Sequence, residues 1–167
     1  MKIIIDSCSV ILLTKATVLE KLSGSYNILI PIEVYNEVLK GKEKMLKDAL
    51  LVEKLKNENK ISLINIDKKL KKKIMQDFNM GEGESSVIAG GIRNNNLVAT
   101  DNRQGRKAAE INSLQLIGSI EIVVNLFRKR KIDYEKAYQS LKLLKEEGWF
   151  DNNLIEKAME DIENDRS

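Results

Sequence analysis

The sequence predicts an α/β fold, a three-layer α/β/α sandwich around a central parallel sheet of about five strands, with a helical C-terminal extension. Three observations predict it. Short apolar runs alternate with longer segments of helical spacing, as in strand–helix–strand units joined by right-handed crossovers. The runs are continuously apolar and do not alternate with polar residues, as strands covered on both faces require. The last third of the chain loses such runs and reads as helix throughout.

"KIII" (2–5) is the first expected strand, and Val10, Leu13, Val18 and Leu22 outline one helix after it. "NILI" (27–30) follows as the second strand. Val34, Val38 and Leu39 then recur at helical spacing behind Pro31, whose fixed φ suits a first helical turn. Leu46, Ala49, Leu50 and Leu55 outline a third helix before the strand "ISLINI" (61–66). "EGESSVIAGGI" opens the fourth helix, "LVAT" (97–100) is the next strand, "RQGRKAAEI" the fifth helix and "LQLIG" (114–118) the last strand. "SIEIVVNLFRKRK", "YEKAYQSLKLLKEE" and "NLIEKAMEDIEND" complete the chain as helices, with Gly148 ending the second. Residues 1–130 are expected to form the sheet domain, and 131–167 a helical extension packed on that same domain.

With 167 residues, 43% of them apolar, the chain can bury a core of its own as one domain. No apolar run approaches the roughly 20 residues that span a bilayer, and "MKIIIDSCSV" carries an acid where a signal peptide needs unbroken apolar residues. A cytoplasmic location is expected. The single cysteine, Cys8, excludes an internal disulfide and Cys-cluster metal sites. The absence of histidine excludes Ser-His-Asp and Cys-His hydrolysis and ordinary catalytic zinc sites. If the chain is an enzyme, carboxylates must do the chemistry, with an oxygen-preferring cation such as Mg²⁺ or Mn²⁺. Charge is uneven. Residues 1–132 carry a net +8 and residues 133–167 a net −5, so the body suits a polyanionic partner. "KKLKKK" (68–73) is either a solvated helix face or part of that basic surface.

Ligands of an open parallel sheet gather outside the carboxyl ends of its strands. Asp6 directly follows "KIII" and Asp101 directly follows "LVAT", so both belong on one rim. Glu37, in "PIEVYNEVL", and Glu84, in the first turn after "MGEG", can reach the same rim. Carboxylates converging there are electrostatically costly without a divalent cation. Each acid also has a plain structural role open to it. Asp6 and Asp101 stand where Asp caps helices, Glu84 suits a helix dipole, and Glu37 could simply face solvent. "GEGES" has glycines but no Lys and no Walker spacing, so it is not a phosphate loop. Cys8, with no His to activate it, reads as a buried, inert thiol.

These segments resemble the PIN-domain ribonucleases, in particular the VapC-like branch that includes toxins of bacterial and archaeal toxin–antitoxin pairs. "IIIDSCSVILL" is similar to the family's opening strand and its Asp-Thr/Ser-x-Ser, and "ILIPIEVYNEV" to its Pro-x-x-Val-x-x-Glu-Val. "GEGESSVIAGGI" resembles its Gly-Glu-x-x-x-Ile-Ala helix start, and "VATDNRQGRKAAE" its Asp-Asp-Arg and Gly-Arg-Lys-x-Ala run. The resemblance spans roughly residues 2–130 in the right order. It implies a metal-dependent endoribonuclease with Asp6, Glu37, Glu84 and Asp101 as catalytic acids. The same four acids, with Asn102, would hold Mg²⁺ or Mn²⁺. Ser7 and Ser9 fall in the first loop near the acids and would contact the substrate, and Arg103, Arg106 and Lys107 are placed to hold the RNA backbone. RNA, an antitoxin protein and a second copy of the chain are the implied partners. The family often has a second Asp where this chain has Asn102, which leaves open whether residue 101 or 102 faces the cleft. Glu82 and Glu84 pose a similar choice, and the Ile-Ala spacing favours Glu84. A non-catalytic RNA- or protein-binding module on the same fold is the alternative. A carboxylate-metal phosphatase fits the acids but not the basic body.

Overall fold

Strands β1 (Lys2–Ile5), β2 (Asn27–Pro31), β3 (Ile61–Ile64), β4 (Leu97–Ala99) and β5 (Leu116–Ile117) form one parallel sheet in the order β3-β2-β1-β4-β5. This is a computed structural model, and it describes residues 1–41 and 46–166. Central β1 explains the uninterrupted isoleucines. Ile3, Ile4 and Ile5 are fully buried because helices cover both faces, and each burial contributes about 1.5–3 kcal/mol. The chain walks outward from β1 to β3, then returns to the other side of β1 for β4. The strand order therefore reverses between β1 and β4, which opens a crevice at their carboxyl ends.

The helices are α1 (Ser7–Lys15), α2 (Leu19–Ser23), α3 (Ile32–Leu39), α4 (Lys47–Asn57), α5 (Lys68–Phe78), α6 (Glu82–Asn94) and α7 (Arg103–Ile111), then α8 (Ser119–Arg128), α9 (Tyr134–Glu147) and α10 (Asn152–Asn164). One expectation is corrected. The single helix expected from Val10 to Leu22 is broken at Thr17, whose φ of 61° is left-handed and ends α1. The break redirects the chain so that Leu13, Val18, Leu19 and Leu22 are all buried. "KKLKKK" is the start of α5, in keeping with the helix-face reading of that run. Asp67 caps it by accepting from the Leu70 N–H at 2.8 Å, and Leu70, Ile74 and Phe78 form its inward stripe. Four of its five lysines are exposed, but Lys71 is neither solvated nor presented to a polyanion.

Helix α6 lies against the middle of the sheet. Gly90 permits this, because a Cβ there would fall 2.3 Å from Ile4 Cδ1. Helix α9 packs on α1 and α8, and α10 on α8 and α9, burying Leu141, Leu144, Ile155 and Ile162 in the core shared with the sheet. Among the described residues, no helix is long and apolar enough to cross a membrane.

Candidate functional site

Asp6 follows β1 immediately, and Asp101 lies two residues past β4. Since β1 and β4 are paired neighbours with Ile5 opposite Ala99, the two acids flank the crevice. Asp6 is 2% exposed. Its Oδ1 caps α1, accepting from the Ser9 N–H at 2.7 Å, while its Oδ2 is buried with no hydrogen-bond partner. Burial pushes the Asp6 carboxyl up to about 6. The Thr100 hydroxyl and Ser9 offset part of that and Asp101 adds to it, although Thr100 makes no bond of hydrogen-bond geometry to Oδ2. A buried carboxylate oxygen without a donor is costly to keep and needs an explanation.

Asp101 is not the helix cap. That role belongs to Asn102, whose Oδ1 accepts from the N–H groups of Gln104 and Gly105 at 2.8 and 3.1 Å. Both lone pairs of the amide oxygen are thereby engaged in capping α7. Asp101 instead turns toward the crevice, held by the Ser119 N–H at 2.8 Å and by the hydroxyls of Ser9 at 2.9 Å and Ser119 at 2.5 Å. We predict that Asn102→Ala costs about 1 kcal/mol of stability yet changes Mn²⁺ affinity less than Asp101→Asn does, as urea unfolding and metal titration will show.

Glu37 lies on α3 and accepts from the Ser7 hydroxyl at 3.0 Å. Its Oε2 rests on Gly83 in the first turn of α6, where a Cβ would come within 2.5 Å. Glu84 is half-buried in that same turn. Cys8 lies within the field of all four acids. The sequence leads one to expect a buried thiol, but the residue is exposed. Partial burial of its sulfur foremost, then the charges of Asp6, Asp101, Glu84 and Glu37, push the thiol up to about 12.

Ser7 and Ser9, expected to face substrate, direct their hydroxyls at Glu37 and Asp101 and so hold the acids in place. Arg106 stands beside Asp101 across Gly118, but its guanidinium donates to the Thr100 carbonyl at 3.3 Å and pairs with Glu121 at 3.8 Å. Arg103 and Lys107 are exposed on α7. Glu82 is drawn away to Lys71 at 2.7 Å. Ser119 and Thr100 were not marked by the linear pattern. A signal existed for Ser119, which follows the apolar "LQLIG" much as Asp6 follows "KIII". A cavity of about 940 Å³ opens on the Asp101 side of the crevice, between β5, α8 and the segment around Trp149.

Among the described residues, no three Asp, Glu or Cys side chains are gathered tightly enough to enclose a metal ion. Like charges with no cation between them separate, so this spacing does not oppose the donor set, which is all carboxylate oxygen. The partnerless Oδ2 of Asp6 fits a hard cation.

A family model, DUF3368, described as a PIN domain, matches residues 2–164. No match is found among curated proteins.

Proposed function

The chain belongs to the PIN-domain family, whose members are typically nucleases that act on RNA and commonly use divalent metals, and from that premise we propose a Mg²⁺- or Mn²⁺-dependent endoribonuclease. Asp6, Glu37, Glu84 and Asp101 are its acids. The observation that carries this reading is the buried, partnerless Oδ2 of Asp6 at the crevice where the strand order reverses, with Asp101 close enough to raise its pKa.

A bound divalent cation supplies the charge compensation the acids lack and Lewis acidity toward a phosphodiester. The chain's own residues supply position. The cap bond from Ser9 fixes Asp6, Ser9 and Ser119 fix Asp101, and Ser7 orients Glu37. Glu84 joins them from the positive end of the α6 dipole. Arg103 and Lys107, both exposed on α7, would hold phosphates on either side of the cut, with Arg106 at the border of the cavity. A cytoplasmic toxin held by an antitoxin protein, and a homodimer, are the finer forms of this reading, and the four-motif resemblance supports them.

The test is cleavage of single-stranded RNA. Cleavage is expected with Mn²⁺ and is expected to stop when EDTA removes the metal. RNA that is bound but never cut with either cation would favour a non-catalytic binding module. Two observations speak for that second reading: the acids do not form a ready metal cage, and Asn102 replaces a second Asp of the family's motif.

A further inference from the structure

We infer that Lys71 is a positioning residue of the acidic crevice: it pins the first turn of α6 to α3 and draws Glu82 aside, leaving Glu84 and Glu37 to face Asp6. The inference rests on the functional reading above and deepens it.

Lys71 is the exception in its lysine run. It is 8% exposed, and its ammonium donates to Glu33 Oε1 at 2.6 Å and to Glu82 Oε1 at 2.7 Å. One cation on α5 thus ties together α3 and α6, the two helices that carry Glu37 and Glu84. Burial works against the charge, but the two glutamates outweigh it and raise the lysine pKa, so the ammonium persists at neutral pH. If the position served packing alone, an apolar side chain of similar volume would serve it at no desolvation cost.

Helix geometry shows what the tie sets. Glu82 and Glu84 are two residues apart, which turns them about 200° from each other around α6. Holding Glu82 toward α5 therefore turns Glu84 to the opposite side, the side of Cys8 and the other acids. Glu33 and Glu37 are four residues apart and share one face of α3. Anchoring Glu33 to Lys71 sets the spacing at which Glu37 rests on Gly83. The tie also settles, for this chain, which acid of "GEGES" is available to the crevice: Glu82 has a cationic partner within 2.7 Å, and Glu84 has none among the described residues.

The test uses the full chain and Mn²⁺ alone as probe, with binding followed by calorimetric titration and stability by thermal melting. Lys71→Met, which keeps the stem and removes the charge, is expected to weaken Mn²⁺ binding by about 10–100-fold, the range seen when partners behind metal ligands are removed. With RNA, kcat is expected to fall while KM holds. The double variant Lys71→Met/Glu82→Gln removes the repulsion left between Glu33 and Glu82, and so keeps the fold even if the single variant loses it. Weak Mn²⁺ binding by the folded double variant supports the inference, because the tie is still absent. Wild-type Mn²⁺ affinity in the folded double variant overturns the inference and leaves the functional reading standing. A wild-type protein that binds no Mn²⁺ overturns both.

Discussion

Asp6→Asn is expected to reduce Mn²⁺-supported RNA cleavage by at least about a hundredfold, and at the same time to stabilise the metal-free protein. The loss follows from removing an acid whose second oxygen is buried without a partner at the crevice. Several kcal/mol of charge stabilisation at a metal site corresponds to two or more powers of ten in rate. The gain follows from linkage. The Asp6 carboxyl titrates near 6 in the folded chain, above its ordinary 3.8. Below pH about 4 both folded and unfolded forms hold the proton, and the native state carries no penalty. Between pH 4 and 6 the unfolded chain releases its proton first, and stability falls by about 3 kcal/mol in all. Above pH 6 the native state keeps a desolvated charge. Asparagine never carries that charge, and its Oδ1 can still accept from the Ser9 N–H. The variant should therefore exceed wild type by up to about 3 kcal/mol at pH 7.5, with the difference vanishing near pH 4. Mn²⁺ should raise the melting temperature of wild type and not of the variant. A variant that melts lower than wild type at every pH, or that still cuts RNA, contradicts the assignment of Asp6.

Gly83→Ala is expected to separate stability from function in the same direction. Alanine is the better helix former by about 1 kcal/mol, and Gly83 lies within α6. The only close obstacle to a Cβ is Glu37 Oε2 at 2.5 Å, with Val34 no nearer than 3.6 Å. That oxygen ends a flexible side chain, so it moves aside and the backbone does not. The fold should be kept, with a melting temperature equal to or above that of wild type. Mn²⁺ affinity and cleavage should fall about tenfold, because Glu37 is pushed from the place where Ser7 holds it. Unchanged affinity would mean that Glu37 is not a ligand.

Much of this molecule is legible along the chain because its chemistry is local. Apolar runs pick out the strands, and an acid directly after a run must stand at the carboxyl end of that strand. Asp6 and Asp101 were readable in that way without any knowledge of their neighbours. The lack of histidine narrowed the chemistry to carboxylates before any fold was considered. The break at Thr17 was hidden because Val10, Leu13, Val18 and Leu22 form one apolar series along the chain, and the left-handed turn lies at a residue other than glycine. Only Leu116 and Ile117 of the apolar run form β5, although the Gln115 carbonyl before them still accepts from the Val98 N–H at 2.9 Å.

Strand placement, the crevice and the acids at its rim thus follow from the order of apolar and charged residues. The division of labour within that rim does not. Asp101 and Asn102 are adjacent in sequence, and a turn of the backbone sends one into the crevice and the other onto the first N–H groups of α7. Glu82 and Glu84 are separated by helix rotation, and Glu82 pairs with Lys71, a residue of another helix. A hydrogen bond or ion pair between distant segments depends on angstrom-scale packing of whole helices, and no single stretch of sequence carries that information.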